Sequence, residues 1–375
     1  MMSAKNNSYK KITVVVLAIM IILGSFHHAT IADTIKFQRV DPNKVPDELA
    51  MLAAVTQSNY EKIKTWQGKI ASESNYFYYR GENSADLLKQ HAGIKSIADP
   101  NELAMTGKGI IEFKIDMGKN LLFRYQNRPK PIEYIDTEKG VTYTSLEESS
   151  ESTRIIAGEY KIESYPYTLK RDGAISSRRA TKQPHRQSQI ITDDSDPRYC
   201  YSIGKPAWIL LSELSEGIRL FSKDPNSAFS GVILEKAQTA KGATYRMKLT
   251  LPGASPSFEW KVTFDGEKGF NPVYVEVKND KGIKISEITR DFIKVQGIFL
   301  PAKQRVVQYD GTDGRLRRAA TSTFSDMKVN IALPENTFSL NNLGLKNGDK
   351  FIDKIAGKEY KYQDANLVPI ADVNK

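Results

Sequence analysis

Between residues 258 and 329 apolar and polar side chains alternate almost without a break. Phe258, Trp260, Val262 and Phe264 are separated by Glu259, Lys261 and Thr263. Strict alternation marks a strand with one buried face and one wet face. The pattern resumes at Val273, Val275 and Val277, turns at Asn279-Asp280-Lys281-Gly282, and continues through Ile283, Ile285 and Val295. Val306 to Tyr309, and the segment after Asp310-Gly311 up to Phe324 and Val329, complete it. Connections this short join antiparallel neighbours, so the stretch predicts a meander of roughly five strands with one apolar face.

Upstream, Pro46 and Asp47 open a helix whose stripe is Leu49, Leu52, Ala53, Tyr60 and Ile63. A strand is expected from Gln67 towards Tyr79. Residues 85–104 are less regular, with room for a short helix at 86–91. Ile111, Phe113 and Ile115 then alternate with Glu112 and Lys114, and a turn at 116–120 is expected to return Leu121, Phe123 and Tyr125 on the same face. Strands at 132–135 and 141–145 follow, then an apolar stretch at 155–169. Residues 170–198 have no period and read as a long surface excursion. Trp208, Leu211, Leu214, Ile218 and Phe221 mark a second, amphipathic helix. A hairpin at 231–251 leads into the meander, and the tail at 346–375 carries a short strand pair around Phe351 and Tyr360.

The N-terminal 32 residues read as an export signal. Lys5, Lys10 and Lys11 precede the apolar run 12–26, and small residues surround Ala29 and Ala32. That run is short for a bilayer span, which favours cleavage after Ala32 over a retained anchor. No cysteine follows closely enough to carry a lipid. The formal charge is +10, falling to about +7 without the three leader lysines. A mild excess suits peripheral contact with anionic lipid and does not suit nucleic acid. Cys200 is the single cysteine, and only His91 and His185 remain beyond the leader. That poverty argues against a disulfide framework, a zinc site or a haem attachment.

The search for catalytic chemistry is short. The chain has no Gly-x-Ser-x-Gly elbow, no phosphate loop and no His-Glu-x-x-His. Asp193-Asp194-Ser195-Asp196 starts like a calcium loop but lacks the later ligands, so no metal is expected. Cys200, between Tyr199 and Tyr201, reads as a small structural residue, and no catalytic residue or cofactor is nominated. The basic group Lys170, Arg171, Arg178, Arg179, Lys182 and Arg186 is read first as a solvated loop and second as a docking patch for headgroups or an acidic partner.

The apolar faces are the strongest feature. Ile111, Phe113, Ile115, Leu121, Phe123, Tyr125, Phe258, Trp260, Val262 and Phe264 are expected on one side of a sheet. Each alone is more simply a core residue. Together, on a curved and incompletely closed sheet, they would line a cavity for an apolar ligand.

A family resemblance rests on short segments in a fixed order. They are Trp66-Gln67-Gly68, Gly107-Lys108-Gly109-Ile110-Ile111-Glu112-Phe113, Leu122-Phe123-Arg124-Tyr125, Gly140-Val141-Thr142-Tyr143, Gly297-Ile298-Phe299-Leu300-Pro301 and Asn336-Thr337-Phe338-Ser339-Leu340. Spread over most of residues 44–345, this order resembles the LolA/LolB-like periplasmic lipoprotein carriers. The resemblance implies an α+β, mostly antiparallel half-open barrel with two or more helices covering its concave face. It also implies a periplasmic, non-enzymatic protein whose partner is a lipid or an acylated lipoprotein. An envelope sensor or scaffold binding a protein partner on the same fold is the rival. Met117-Gly118-Lys119-Asn120 stands where the carriers have Arg-Pro, so their lid-holding arginine has no counterpart here.

Overall fold

The computed structural model describes residues 36–77, 103–119, 121–127, 131–136, 141–146, 151–169, 175–184, 207–221, 231–240, 242–250 and 258–372. After β1 (Gln38–Arg39), a 3₁₀ turn capped by Asp41 leads into α1 (Val45–Glu61). Then come β2 (Thr65–Phe77), β3 (Leu103–Asp116), β4 (Leu121–Asn127), β5 (Pro131–Asp136) and β6 (Val141–Leu146). β7 (Glu151–Ala157), β8 (Tyr160–Leu169) and β9 (Ile175–Pro184) precede α2 (Ala207–Phe221). The hairpin β10 (Val232–Thr239) and β11 (Gly242–Thr250) opens the second half. The expected meander is β12 (Phe258–Asp265), β13 (Asn271–Asn279), β14 (Lys284–Val295), β15 (Ile298–Tyr309) and β16 (Leu316–Val329). β17 (Lys350–Asp353), β18 (Lys358–Gln363) and β19 (Asn366–Asp372) end the described chain.

One 17-stranded open sheet holds all of these except the separate β5–β6 hairpin. Read by register, it runs from β1 through β10 to β16, then β2, β3, β4, β7, β8, β9, β17, β18 and β19. Neighbours are antiparallel apart from β9 and β17, which pair in parallel. The fold is therefore α+β with a curved, unclosed antiparallel sheet and two helices on one face.

Alternation decides what the helices cover. Leu234, Tyr245, Met247, Leu249, Val262 and Val275 meet Leu49 and Leu52 of α1 and Leu211 and Leu214 of α2 in one core cluster. A second cluster on the same face joins Trp66, Ile70, Ile111, Phe113 and Phe324 to Tyr60 and Ile63, and Trp208 packs against both. Met327 lies over Gly68 so closely that an added Cβ there would sit 2.3 Å from its sulfur.

Polar bonds fasten the C-terminal half of α1 to the sheet. Asn59 Nδ2 donates to the Phe299 carbonyl at 2.9 Å and its Oδ1 accepts from the Phe299 N–H at 2.8 Å. Tyr60 donates to Asn271 Oδ1 at 2.9 Å and Thr56 to the Phe270 carbonyl at 3.2 Å. Below the helix, Asn330 Oδ1 accepts from the Lys64 N–H and its amide donates to the Lys62 carbonyl.

Two sequence expectations are corrected. Part of the unpatterned stretch 170–198 is β9, an interior strand between β8 and β17. Its polar residues hid it because they are satisfied by neighbours: Arg178 pairs with Glu151, Lys182 with Asp353 at 3.1 Å, and Gln183 donates to Glu163 at 3.1 Å. The tail carries three strands, and through β17 it continues the main sheet.

Candidate functional site

Cross-strand partners share a face, so the register sorts the predicted cavity residues. Ile111, Phe113 and Ile115 lie in the second cluster under the helices, and Val262 and Phe264 lie in the first. Phe258 and Trp260 sit partly buried at its margin. The register across β12, β13, β14, β15, β16, β2 and β3 keeps both sets on one face.

Leu121, Phe123 and Tyr125 do not join them. Ile115 pairs with Leu122, and Phe113 pairs with Arg124, so the three named residues point to the opposite face. The loop between β3 and β4 has an even number of residues, which sets odd positions opposite even ones and reverses the expected parity. On that face Phe123 packs in a third core with Ile155, Ile162, Ala180, Phe351 and Leu343. Phe338 and Leu340 of the post-meander segment cover it. Tyr125 faces Glu151, and its phenol is pushed up by burial and then by that carboxylate.

Among the described residues, buried apolar side chains pack the helix-covered face. Phe113, Phe264, Leu49, Leu52 and Leu211 are all almost wholly buried there. The cover itself has unequal attachments. α1 carries the backbone-directed bonds described above, whereas Ser215 and Arg219 of α2 both reach the first turn of α1. Ser215 donates to the Pro46 carbonyl at 2.7 Å, and Arg219 pairs with Asp47 at 2.6 Å. Trp208 lies tilted over Tyr60 with centroids 5.2 Å apart. At the N-terminal end of α1, Tyr245 donates to Glu48, and Lys236 pairs with Glu48 at 3.1 Å. Burial first, and then Glu48, raise the Tyr245 phenol. This group anchors α1 to β10 and β11.

A feature that sequence reasoning missed lies on the other face of the sheet. An open trough of about 780 Å³ runs over β15, β16, β2, β3 and β4. Its floor is made of small residues, Ala71, Gly109, Ala319 and Thr321, and its charged groups are Glu73, Lys108 and Arg305. Register places Arg305, Thr321, Glu73 and Lys108 in one row across four strands. The signal for it in sequence was weak: small and polar residues on the outward positions of the meander, where a wet face is the ordinary expectation.

Beside the trough, across β12, β13 and β14, Glu276 is ringed by Lys261, Lys278 and Lys284. Burial alone would raise its pKa, but Lys284 foremost, then Lys261 and Lys278, outweigh that and hold the carboxyl below its usual value. Burial first, then Glu287 of β14 and Glu276, keep Tyr274 well above the ordinary phenol range. Among the described residues no three His, Cys, Asp or Glu side chains converge as a metal site, and no helix is long and apolar enough to cross a membrane. The leader, Cys200, His91, His185, Lys170, Arg171, Arg186 and the helix expected at 86–91 lie outside the described residues.

No family model matches the chain, and no curated protein matches it in sequence. Solved structures give distant likenesses. A putative outer membrane lipoprotein-sorting protein domain from Vibrio parahaemolyticus aligns at 9% identity and a TM-score of 0.35, covering 80% of this chain and 99% of that one. A DUF1329 family protein from Desulfovibrio piger aligns at 9% identity and 0.32, covering 81% and 100%. The Mycobacterium tuberculosis lipoprotein LppX aligns at 9% and 0.24, covering 77% and 99%. Scores this low carry neither a family nor a function to this chain.

Proposed function

We propose that this chain is an exported envelope protein that binds lipid, or the acyl chains of lipoproteins, on the helix-covered face of its sheet, and that it acts as a carrier without catalysis. One observation carries the reading: α2 rests on a continuous apolar sheet face and is tethered through Ser215 and Arg219 to the first turn of α1. An acyl chain that displaces α2 would replace Leu211, Leu214 and Ile218 against the same wall. Apolar burial is worth about 25 cal/mol per Å² whichever partner supplies it, so this exchange is close to neutral in free energy. Breaking the tethers adds only about 1 kcal/mol each, because one is a single neutral hydrogen bond and the other a surface ion pair. On this reading the site is made by exchange of α2 for an acyl chain against the same apolar wall.

Native mass spectrometry of the protein purified from its own envelope tests this directly. A stoichiometric phospholipid or acylated species supports the reading. A ligand-free protein that also fails to enhance the fluorescence of a dansyl-labelled fatty acid overturns it and favours the protein-partner reading.

A further inference from the structure

The trough on the far face of the sheet has the features of a binding site for a different chemistry. Its volume of about 780 Å³ lies in the range of small-molecule pockets. Arg305 stands in it as an exposed guanidinium that forms no ion pair among the described residues. Lys108, by contrast, is paired with Glu73 at 3.8 Å. A guanidinium fork is matched to oxyanions, which it grips with two parallel hydrogen bonds.

Next to Arg305 across the sheet is Thr321, and beyond it Glu73. Adjacent strands are roughly 4.8 Å apart, so Arg305 and Glu73 stand about 10 Å from one another along this row. The hydroxyls of Thr321 and Thr323 and the amides of Asn75 and Asn127 also line the trough. These groups suit a ligand that bears hydroxyls beside its anion. Ile110, 49% exposed, supplies an apolar contact at the β3 side.

We propose that this trough binds a phosphate ester of a polyol, with Arg305 on the phosphate oxygens and Thr321 and Asn75 on the hydroxyls. The site is separate from the helix-covered face and does not depend on lipid binding there. The same chemistry occurs in a soluble glycerol phosphate and in the headgroup of phosphatidylglycerol, and the experiment distinguishes these two sources.

Isothermal titration calorimetry with glycerol phosphate and co-sedimentation with phosphatidylglycerol vesicles are run in parallel on the mature chain. The expected result is saturable binding in at least one arm. Glycerol phosphate alone identifies a soluble ligand, and vesicles alone identify a headgroup in a bilayer. Arg305→Gln should weaken binding about tenfold or more, as loss of a charged hydrogen-bond donor does. Ala319→Leu, which fills the floor without removing charge, should also weaken it. Glu73→Gln removes the nearby carboxylate and should tighten binding roughly two- to threefold, a sign that general loss of structure cannot produce. All three positions are at least partly exposed, and unchanged circular dichroism checks that each variant is folded. No binding in either arm, or binding indifferent to Arg305→Gln, overturns the proposal.

Discussion

Asn59 satisfies both polar groups of one residue's backbone at once, donating to the Phe299 carbonyl and accepting from its N–H. The carboxamide holds its acceptor and its donor side by side, which matches the N–H and C=O of a single residue. Asn59→Leu should therefore leave two backbone groups short of partners and cost about 2–4 kcal/mol, read as a shift in the urea midpoint. Glu276 makes a prediction about pH. Its folded pKa is depressed, so the unfolded chain binds the proton more readily, and its contribution is present above the unfolded carboxylate pKa. That contribution is lost as pH falls through the depressed folded value. Glu276→Gln should flatten the acid limb of a stability–pH curve while leaving the slope near neutrality unchanged. An unaltered acid limb would mean that the lysine ring stabilises nothing beyond its own solvation.

At the scale of elements, α2 is the informative one. Leu211 is wholly buried between sheet and α1, whereas Ile209 is 37% exposed on the outer side. Leu211→Ala should cost about 2–5 kcal/mol and Ile209→Ala less than about 0.5, measured by denaturant titration. The helices and the meander were legible because each buries one face and wets the other, which writes a period into the sequence. β9 was not legible, since Arg178, Lys182 and Gln183 are satisfied by ion pairs and hydrogen bonds that no periodicity encodes. The candidate site was half legible. Alternation puts Ile111, Phe113, Val262 and Phe264 on one face, and the helices cover it, but the face of Leu121, Phe123 and Tyr125 depends on the parity of one loop. Nor could alternation tell a lined cavity from a filled one, because both bury the same residues. Phe113→Asp is accordingly a test of folding, since Phe113 is 1% exposed, and the rim residue Trp260 is the better probe of uptake.

The whole molecule stacks its cores on both faces of one sheet. Trp66, Trp208 and Trp260 all report on the helix-covered side, while Phe351 belongs to the opposite core. Phe351→Ala should cost about 3–5 kcal/mol. If the sheet transmits that loss, tryptophan fluorescence and far-ultraviolet circular dichroism will shift together. An early dichroism phase with unmoved fluorescence would show that the tail side melts as its own unit. The free end of the sheet has its own safeguard. Asp364 and Ala365, both at positive φ, make the tight turn between β18 and β19, and pairing then alternates so that Pro369 occupies an outward position, where it has no N–H to offer a further strand.

The partners of β2 and β9 arrive late. Ser74 of β2 bonds Arg318, 244 residues away, and Arg178 of β9 bonds Asp349, 171 residues away. During synthesis both strands must wait with one edge bare until the last part of the chain emerges. Pairings this distant are slow to form, and bare edges invite association with other chains. Efficient production of this protein therefore depends on what shields those edges in the interval, so a holding chaperone should raise its yield more than slower synthesis does.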